Sequence, residues 1–263
     1  MPAKFQTVDC LRYIYYLGQI ENHSFMDYDI PSMEDKKVKS YLYNIAKELE
    51  NSGAVVECGS WLGGSIAPVA QALSEIDSQM EIHCYDRWEA DEIEVSKAAK
   101  QGVSINEEQD TLPLFKQYVD GIYPHIVPHK TNLLEAAWTG ERIKLFIDDA
   151  SKDPKLFNSV LNTFGPYFVP GETIIVLMDY QVHERTTSNV NKQLRKCQKY
   201  FIEANKDSFE QIADLDNSSG VAFRYTNPID WNRPILQTPF QRMYATSAII
   251  RWLAWKIISF ENS

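Results

Sequence analysis

The segment AVVECGSWLGGSIAPVAQAL, residues 54–73, places three glycines within six positions between two apolar runs. AVVEC has the apolar, β-branched character of a buried strand, and the residues after the glycines have the apolar spacing of a helix. Glycine is favoured where the backbone needs a positive φ or where a Cβ would block a close approach. The segment therefore predicts a strand, a tight turn and a helix, with the turn at the carboxyl end of the strand.

Strand-like and helical segments continue to alternate after this turn. The strand-like runs are AVVEC, EIHCYD, HIVPHKT, IKLFIDDA and ETIIVLMDY. Such alternation indicates crossover connections and a parallel sheet. FEQIADLDNSSGVAFRYT follows as two strands joined by Asn-Ser-Ser-Gly, which predicts a hairpin. We therefore expect an α/β, Rossmann-like doubly wound sheet of about seven strands, five parallel and a terminal antiparallel hairpin.

The chain divides into three parts by pattern. Residues 1–50 are predicted to form a helical extension, residues 51–226 the domain that carries the sheet, and residues 227–263 a second helical extension. A length of 263 residues suits one large domain with appendages. Residues 91–110 are polar and charged without strand character, which predicts a surface insertion or a lid.

Composition excludes several classes of function. The net charge is −10 and no Lys/Arg cluster is present, which argues against a nucleic-acid partner. The four cysteines lack CxxC spacing, so neither a zinc site nor a disulfide framework is predicted. The amino terminus has no basic stretch followed by an unbroken apolar run, so we expect a cytoplasmic protein.

The motif VVECGSWLGGS resembles the first motif of class I S-adenosylmethionine-dependent methyltransferases, an acidic residue followed by G-x-x-x-G. The resemblance implies that S-adenosylmethionine is the cofactor and that it binds at this turn. The residues that it assigns to the cofactor are Glu57, Gly59, Ser60, Gly63, Gly64 and Ser65. Backbone N–H groups at the helix start would bind the carboxylate of the cofactor, and Glu57 would accept from its ammonium. The alternative is a glycine turn without a ligand.

Two residues after the second strand extend this predicted cofactor site. Asp86 ends EIHCYD, where an acidic residue can hold two ribose hydroxyls. Trp88 follows and is predicted to cover the adenine, with an ordinary core or surface tryptophan as the alternative. A dehydrogenase would favour G-x-G-x-x-G, which the glycine spacing here does not match.

A second group of acidic residues follows the later strands. Asp148, Asp149 and Asp179 end adjacent strands in this interpretation, so their carboxylates would converge and would need a cation or protons between them. Oxygen ligands suit Mg²⁺, so these three aspartates are the candidate metal ligands. The alternative for the first two is capping of the helix that begins at DPKLF.

The acidic strand ends, together with FGPYFVPGETIIVLMDY, resemble the macrocin O-methyltransferase group over roughly residues 50–225. That group methylates sugar hydroxyls, and many members use a metal. Two positions depart from its pattern, since Met178 replaces the first member of an acidic pair and Ser151 stands where a histidine is usual. The candidate catalytic residues are therefore Asp148, Lys152 and His183, the last because its unperturbed pKa suits a general base.

The segment RMYATSAIIRWLAWKIISF near the carboxyl terminus is apolar on more than one helix face. Arg251 and Lys256 interrupt it, which argues against a membrane span. We expect it to be covered by protein, most simply in a homo-oligomer formed through this helix. The alternative is a helix that lies on a membrane surface.

Together these features predict an O-methyltransferase that uses S-adenosylmethionine, with Mg²⁺ as an optional second cofactor. Its partner would be a small-molecule acceptor, a glycosylated or otherwise polar compound with a free hydroxyl. Two alternatives remain open. One is a protein that keeps cofactor binding without catalysis, and the other is a related hydroxylase-like enzyme on the same sheet.

Overall fold

The computed structural model describes residues 26–215, 219–231, 235–236 and 238–261. Seven strands are present in this part of the chain: β1 Ala54–Cys58, β2 Ile82–Asp86, β3 Ile126–Lys130, β4 Ile143–Asp148, β5 Ile174–Leu177, β6 Phe209–Asp214 and β7 Val221–Tyr225. The α-helices are α1 Lys36–Lys47, α2 Ile66–Glu75, α3 Glu92–Lys100, α4 Leu112–Val119, α5 Pro154–Phe164, α6 Asn189–Arg195, α7 Cys197–Ala204, α8 Pro239–Thr246 and α9 Ala248–Glu261.

The seven strands form one sheet in the order β3-β2-β1-β4-β5-β7-β6. Strands β1 to β5 are parallel, and β7 and β6 join antiparallel as a hairpin at one edge. The predicted α/β fold class is therefore confirmed, including the terminal hairpin. Because β1 lies at the centre of the parallel part, the glycine turn after it lies where the strand order reverses, which is where such sheets bind ligands.

Both faces of the sheet are covered, which explains why its central strands read as continuous apolar runs. Val55 of β1 packs in the core on the side of α1 and α2, whereas Val56 packs on the opposite side with α5. All five residues of β1 are buried. A strand without a solvated face has no polar alternation, and that is the pattern that the sequence shows.

Helix α1 belongs to this core. Asp35 begins it, because its Oδ1 accepts from the backbone N–H groups of Lys37 and Val38. Val38 and Leu42 are fully buried among the residues that line α2. Of the stretch predicted to be helical before residue 51, residues 26–34 are not helical and residues 1–25 lie outside the described part.

Residues 89–110 form a closed excursion from the carboxyl edge of the sheet. Glu89 bridges to Asp110 at its base, and α3 within it begins with a capping box formed by Asp91 and Glu94. The apolar side of α3 packs on the glycine turn, with Ala98 against Trp61 in one small cluster. The predicted surface insertion is therefore a helical element that rests on the turn.

The segment after β7 carries α8 and α9. None of the helices in the described residues is long and apolar enough to cross a membrane. The described residues bury Ala254 of α9 but leave Trp252 and Trp255 56% and 58% exposed, so the predicted burial of these tryptophans is not provided by that part of the chain.

Candidate functional site

The turn after β1 has an unusual backbone that glycine permits. Gly59 and Gly63 have φ values of 91° and 92°, a region that residues with a side chain rarely adopt. Trp61, between them, also has a positive φ of 40°. The turn begins where Gly59 N–H donates to the carbonyl of Tyr85 and closes with a bond from Gly63 to the carbonyl of Ser60.

The space beside the glycines is filled by other parts of the chain. A Cβ on Gly59 would lie 3.0 Å from the carbonyl carbon and oxygen of Asp149, and one on Gly63 would lie 2.7 Å from Cγ1 of Val119. A Cβ on Gly64 would lie 2.5 Å from Cβ of Ser32. The glycines are therefore required by internal packing, whether or not a ligand also approaches this turn.

Residues 26–35, hereafter the strap, run from α2 to α3 across this region. The N–H of Met26 donates to Oε1 of Gln71 on α2 at 3.0 Å, and the N–H of Ser32 donates to Oε1 of Gln101 after α3 at 2.8 Å. No motif marks the strap in the sequence, which reads as a polar connection. It brings Glu34, which was not among the predicted residues, to the carboxyl edge of the sheet.

Glu57 is the buried acid at the end of β1. Its side chain is fully buried, and Oε1 accepts from the Ser65 hydroxyl at 2.6 Å. Oε2 has no hydrogen-bond partner among the described residues. Burial raises the pKa of Glu57 from 4.5 to about 7, although the hydroxyls of Ser60 and Ser65 oppose the rise. An unpaired, buried carboxylate oxygen is costly unless a donor reaches it.

The amino terminus of α2 lies beside this carboxyl. Ser65 is the residue that begins the helix, yet its hydroxyl bonds to Glu57 and caps no backbone N–H. The first N–H groups of α2 therefore lack a side-chain acceptor, and the helix dipole favours an anion there. The end of β1 therefore places a buried acceptor next to a helix amino terminus that no side chain caps.

Asp86 lies at the end of β2, as expected, but its oxygens already bind backbone. Oδ2 accepts from the N–H of Trp61 at 2.9 Å, and Oδ1 accepts from the N–H of Trp88 at 2.7 Å. The side chain is only partly buried, and each oxygen retains a second lone pair. Asp86 thus fixes the glycine turn to the loop after β2 and keeps capacity to accept from a hydroxyl.

Trp88 is a core residue, which contradicts its predicted role of covering an adenine. It is 1% exposed, its Nε1 donates to the carbonyl of Trp61 at 2.7 Å, and its ring packs on Phe115. A positive φ of 45°, set by the bond from its N–H to Asp86, turns the side chain inward. No face of the ring is open to a ligand in this structure.

The side chain of Asp148 is directed into the protein, because it accepts hydrogen bonds from the loop that follows it. It is fully buried, and Oδ1 accepts from the N–H groups of Ala150 and Ser151 at 3.2 and 3.0 Å. Oδ2 lies 3.4 Å from Nε2 of Gln198. Burial raises the pKa of Asp148 to about 6. The alternative that Asp148 caps the helix at DPKLF is wrong, because Asp153 caps α5 and Asp148 binds N–H groups of the loop that precedes it.

The other acidic residues gather around Lys152. Its Nζ lies 3.3 Å from Oδ2 of Asp179, which is 7% exposed. Burial raises the pKa of Asp149 well above 3.8, and Glu34 and Asp179 raise it further while Lys152 lowers it. Burial and Asp179 likewise raise the pKa of Glu34. These four side chains, Glu34, Asp149, Lys152 and Asp179, are called the lysine cluster below.

The predicted magnesium site is not formed by this arrangement. In the described residues no group of three or more His, Cys, Asp or Glu side chains is arranged to hold a metal ion. The reason is local, since Asp148 binds its own loop and Asp179 pairs with Lys152. An ammonium beside Asp179 would also repel a divalent ion. The residues present do not fit Mg²⁺.

Two predicted catalytic groups are unsuited to accept a proton here. His183 is 3% exposed, and its Nδ1 lies 3.2 Å from the carbonyl oxygen of Tyr180. Burial and Lys199 lower the pKa of His183. Burial also lowers the pKa of Lys152, but Asp179 and Asp149 reverse this and leave it raised. Lys152 is therefore an ammonium at neutral pH and acts as a donor.

In comparisons with known proteins, the chain is similar only to solved structures, and the similarity is one of fold. No protein-family model and no curated protein matches the sequence. Among solved structures, the chain is similar to the SAH-bound methyltransferase PaMTH1 of Podospora anserina, with 12% identity, a TM-score of 0.49, and coverage of 86% of this chain and 100% of that one. It is also similar to the methyltransferase CcbJ of Streptomyces caelestis, with 11% identity, a TM-score of 0.43, and coverage of 73% and 97%.

A third similar structure is the methyltransferase MycE from the mycinamycin biosynthetic pathway, in complex with Mg, SAH and mycinamycin VI. The identity is 12%, the TM-score is 0.43, and the match covers 72% of this chain and 48% of that one. Identities this low identify neither a substrate nor a catalytic residue. The function must therefore be inferred from the side chains of the site.

Proposed function

We propose that this chain binds S-adenosylmethionine at the turn after β1 and transfers its methyl group to a hydroxyl of a small polar molecule. The observation that carries the proposal is the unpaired Oε2 of Glu57 beside the start of α2, where no side chain caps the helix. A carboxylate and a helix amino terminus side by side are complementary to an ammonium and a carboxylate on one carbon. Asp86 would accept from the ribose hydroxyls.

The bound sulfonium supplies an activated methyl group, so the protein must align an acceptor oxygen and receive its proton. Among the acidic residues of the edge, Asp149 is suited to that task. Asp149 is half-buried, whereas Asp148 beside it is fully buried and accepts from the backbone of its own loop. The raised pKa of Asp149 makes its carboxylate a stronger base than an ordinary aspartate. We assign it as the proton acceptor, in place of His183.

In this scheme the oxygen of the acceptor hydroxyl would form the new bond to the methyl carbon, the bond from that carbon to sulfur would break to leave S-adenosylhomocysteine, and the hydroxyl proton would pass to Asp149. Lys152 can donate to the same oxygen, because one side of its ammonium faces Asp179 and its side chain is 47% exposed. The Asp149 carboxylate can therefore hold the proton while Lys152 holds the oxygen in place. The scheme uses no metal ion.

Isothermal calorimetry with S-adenosylhomocysteine tests the binding half of the proposal. Glu57→Gln should weaken binding by about tenfold or more, because the amide cannot match a charge-assisted bond to an ammonium. Glu81→Gln is the matched control, since Glu81 precedes β2 at the opposite edge of the sheet. Equal affinity in wild type and Glu57→Gln, or tight binding of NAD instead, would overturn the assignment.

Measurements of kcat test the catalytic half of the proposal, in which Asp149 accepts the proton. Asp149→Asn should lower kcat by roughly 100-fold, a typical loss for a general base, while leaving the affinity for S-adenosylhomocysteine unchanged. His183→Ala should leave kcat unchanged if the variant folds. A large loss in His183→Ala with full activity in Asp149→Asn would contradict the assignment of the base.

A cofactor-binding protein without catalysis is the second candidate, and the burial of both His183 and Asp148 favours it. The two candidates differ in one measurable respect. A binding protein would take up S-adenosylhomocysteine with the same dependence on Glu57, but it would release no product from a broad panel of hydroxyl acceptors.

A further inference from the structure

The excursion of residues 89–110 is closed at its base by the backbone. Glu89 bridges to Asp110 there, and the N–H of Ala90 donates to the carbonyl of Gln109 at 3.1 Å. Paired backbone bonds of this kind keep the two ends of a segment side by side. The two ends of the excursion are therefore held to each other at the carboxyl edge of the sheet.

Beyond this base, the excursion contacts the glycine turn through a small apolar cluster. Ala98 and Ile105 are buried in it with Trp61 and Leu62 of the turn. The cluster is separate from the two large cores that cover the faces of the sheet. A segment held by few buried apolar contacts opens at a lower free energy than a core element. The contact between excursion and turn should therefore open before either core does.

One hydrogen bond joins the residue after α3 to the strap. The N–H of Ser32 donates to Oε1 of Gln101 at 2.8 Å, and this bond is exposed to solvent. The strap is fixed on both sides of Ser32, because Ile30 is buried in the core and Asp35 caps α1. The bond therefore connects a segment that is anchored in the core to one that is not.

The end of β1 and the turn beneath the excursion carry buried polar atoms without a partner in the described residues. Among them are Oε2 of Glu57, whose side chain is fully buried, and Nε1 of Trp61, a residue that is 7% exposed. A buried donor or acceptor that lacks a hydrogen bond destabilises the state that buries it. The closed conformation is therefore penalised when it is empty, and a donor from solution reaches Glu57 only if a covering segment moves.

We infer that residues 89–110 are a lid, hinged at the bridge between Glu89 and Asp110 and latched to the strap by Gln101, that lifts from the glycine turn to admit a ligand. Lifting exposes the indole of Trp61 to water, which supplies the acceptor that its N–H lacks. The identity of the ligand, S-adenosylmethionine, rests on the proposed function, whereas the hinge and the latch do not.

The latch should control the rates of binding more than the affinity. It stabilises the closed lid in the empty protein and in the complex alike, so its loss raises the open fraction of both. Association and dissociation of the ligand should then accelerate by a similar factor, and Kd should stay nearly constant. Loss of a residue that touches the ligand would act mainly on dissociation instead.

Exchange of indole N–H protons, measured by NMR on the ligand-free protein, tests the lid without any ligand. Gln101→Ala should accelerate exchange at Trp61 about fivefold, the factor expected for loss of one neutral hydrogen bond. Exchange at Trp88 should not change, because its indole is bonded to the carbonyl of Trp61. Gln101→Glu keeps an oxygen acceptor for the strap and should behave as wild type. Gln117→Ala, at an exposed glutamine of α4, is the second control.

Ile105→Ala covers the case in which Gln101→Ala fails to fold. It loosens the apolar underside of the lid and leaves the latch in place, so it should also accelerate exchange at Trp61. Equal exchange at Trp61 in wild type and in both variants would overturn the inference. So would exchange at Trp61 that occurs only through global unfolding, with the urea dependence of the whole protein.

Stopped-flow mixing with S-adenosylhomocysteine, followed by tryptophan emission, supplies the rates. In Gln101→Ala, kon and koff should both rise about fivefold while Kd changes by less than about twofold. A raised koff with an unchanged kon would mean that Gln101 touches the ligand, and it would overturn the latch. Absence of binding in wild type, with indole exchange altered as expected, would overturn the proposed function and leave the lid standing.

Discussion

The Ser65 hydroxyl donates to Oε1 of Glu57 across 2.6 Å, while Oε2 of the same carboxyl has no partner among the described residues. The pair joins the end of β1 to the start of α2 through one hydrogen bond. Oε1 of the carboxyl is therefore hydrogen-bonded within the protein, whereas Oε2 is left for a donor that the described residues do not supply. Removing the charge of this carboxyl should therefore raise the stability of the ligand-free protein and weaken the binding of S-adenosylhomocysteine.

Glu57→Gln should stabilise the ligand-free protein at alkaline pH. Because the pKa of Glu57 is raised from 4.5 to about 7, the folded state binds its proton more tightly than the unfolded state. The stabilising effect of this protonation is complete below pH 4.5 and is lost as the pH rises to about 7. At pH 8 the variant should gain up to about 3 kcal/mol in the free energy of unfolding.

Urea denaturation at pH 5 and pH 8 provides the measurement, with Glu135→Gln, a change at an exposed glutamate, as the control. The gain should be largest at pH 8 and small at pH 5. A variant that is less stable than wild type at pH 8 would mean that the Glu57 carboxylate is better solvated in solution than the structure indicates.

Gly64→Ala should destabilise the protein by displacing the strap. A Cβ there would lie 2.5 Å from Cβ of Ser32 and 2.7 Å from the carbonyl oxygen of Pro31. Overpacking of this kind typically costs about 1–3 kcal/mol. Ser32→Gly removes two of the three clashing atoms, Cβ and Oγ of Ser32, and should recover part of the loss in the double variant. If Gly64→Ala alone is neutral, the strap does not rest on the turn in solution.

Gly102→Ala is the contrasting substitution for that experiment. Gly102 has a φ of 78° with no atom within 4 Å of the added Cβ, so only backbone strain opposes alanine. The expected cost is about 1 kcal/mol, and Ser32→Gly should not reduce it. Equal rescue of both alanine variants would indicate that Ser32→Gly acts through some effect other than the contact with Gly64.

A buried histidine pair should make a contribution to stability that falls in mildly acidic solution, opposite in sign to that of buried carboxyls such as Glu57 and Asp148. Nδ1 of His83 lies 2.9 Å from Nε2 of His129, and His129 stacks on Tyr85. Burial lowers the pKa of both histidines below 6.5, and His129 also lowers that of His83. The unfolded state therefore binds protons first as the pH falls below 6.5, so the contribution of the pair to the free energy of unfolding decreases there.

His129→Gln should flatten that decrease, since it removes one titrating ring and the repulsion between two imidazolium ions. Chemical denaturation between pH 7.5 and pH 5.5 on wild type and variant gives the two slopes. Parallel slopes would mean that the pair does not control acid stability. Glu57 and Asp148 act in the opposite sense over this range, so the test is the difference between the two slopes, and both are measured in a Glu57→Gln background.

The exposed face of α9 should mediate association of two copies of this chain. Trp252 and Trp255 are more than half exposed, as are Ile249 on the same helix and Ile93 on α3. Sedimentation velocity should detect a dimer at micromolar concentration in wild type and a monomer in the double variant Trp252→Ser, Trp255→Ser. Ile93→Ser is the control and should remain dimeric. A monomeric wild type that pellets with liposomes would support a membrane-surface helix instead.

Much of the fold follows from local pattern in the sequence. The parallel strands and the terminal hairpin are predictable because each strand is an apolar run and each crossover has a helical period. The position of β1 at the sheet centre places Glu57 and Asp86 at neighbouring strand ends, as expected. These predictions depend only on the spacing of apolar residues along the chain, which can be read directly from the sequence.

The contacts of the site are less predictable because they depend on hydrogen bonds within loops. Asp148 and Asp149 are adjacent and chemically identical, yet one binds the backbone of its own loop and the other reaches the lysine cluster. Trp88 points inward, and its backbone has a positive φ that could not be predicted because tryptophan rarely adopts it. Glu34 arrives from a strap remote in sequence, so no motif could include it.

The hydrogen bond from the Trp88 indole to the carbonyl of Trp61 has an optical consequence. Trp61, Trp88 and Trp138 are at most 7% exposed, whereas Trp252 and Trp255 are open to solvent. Aqueous iodide should quench the emission of the last two and leave a blue-shifted remainder from the core. Since Trp61 lies on the glycine turn and Trp88 bonds to it from the loop after β2, that remainder includes a fluorescence reporter of events at the turn, built from natural side chains and free of any added dye.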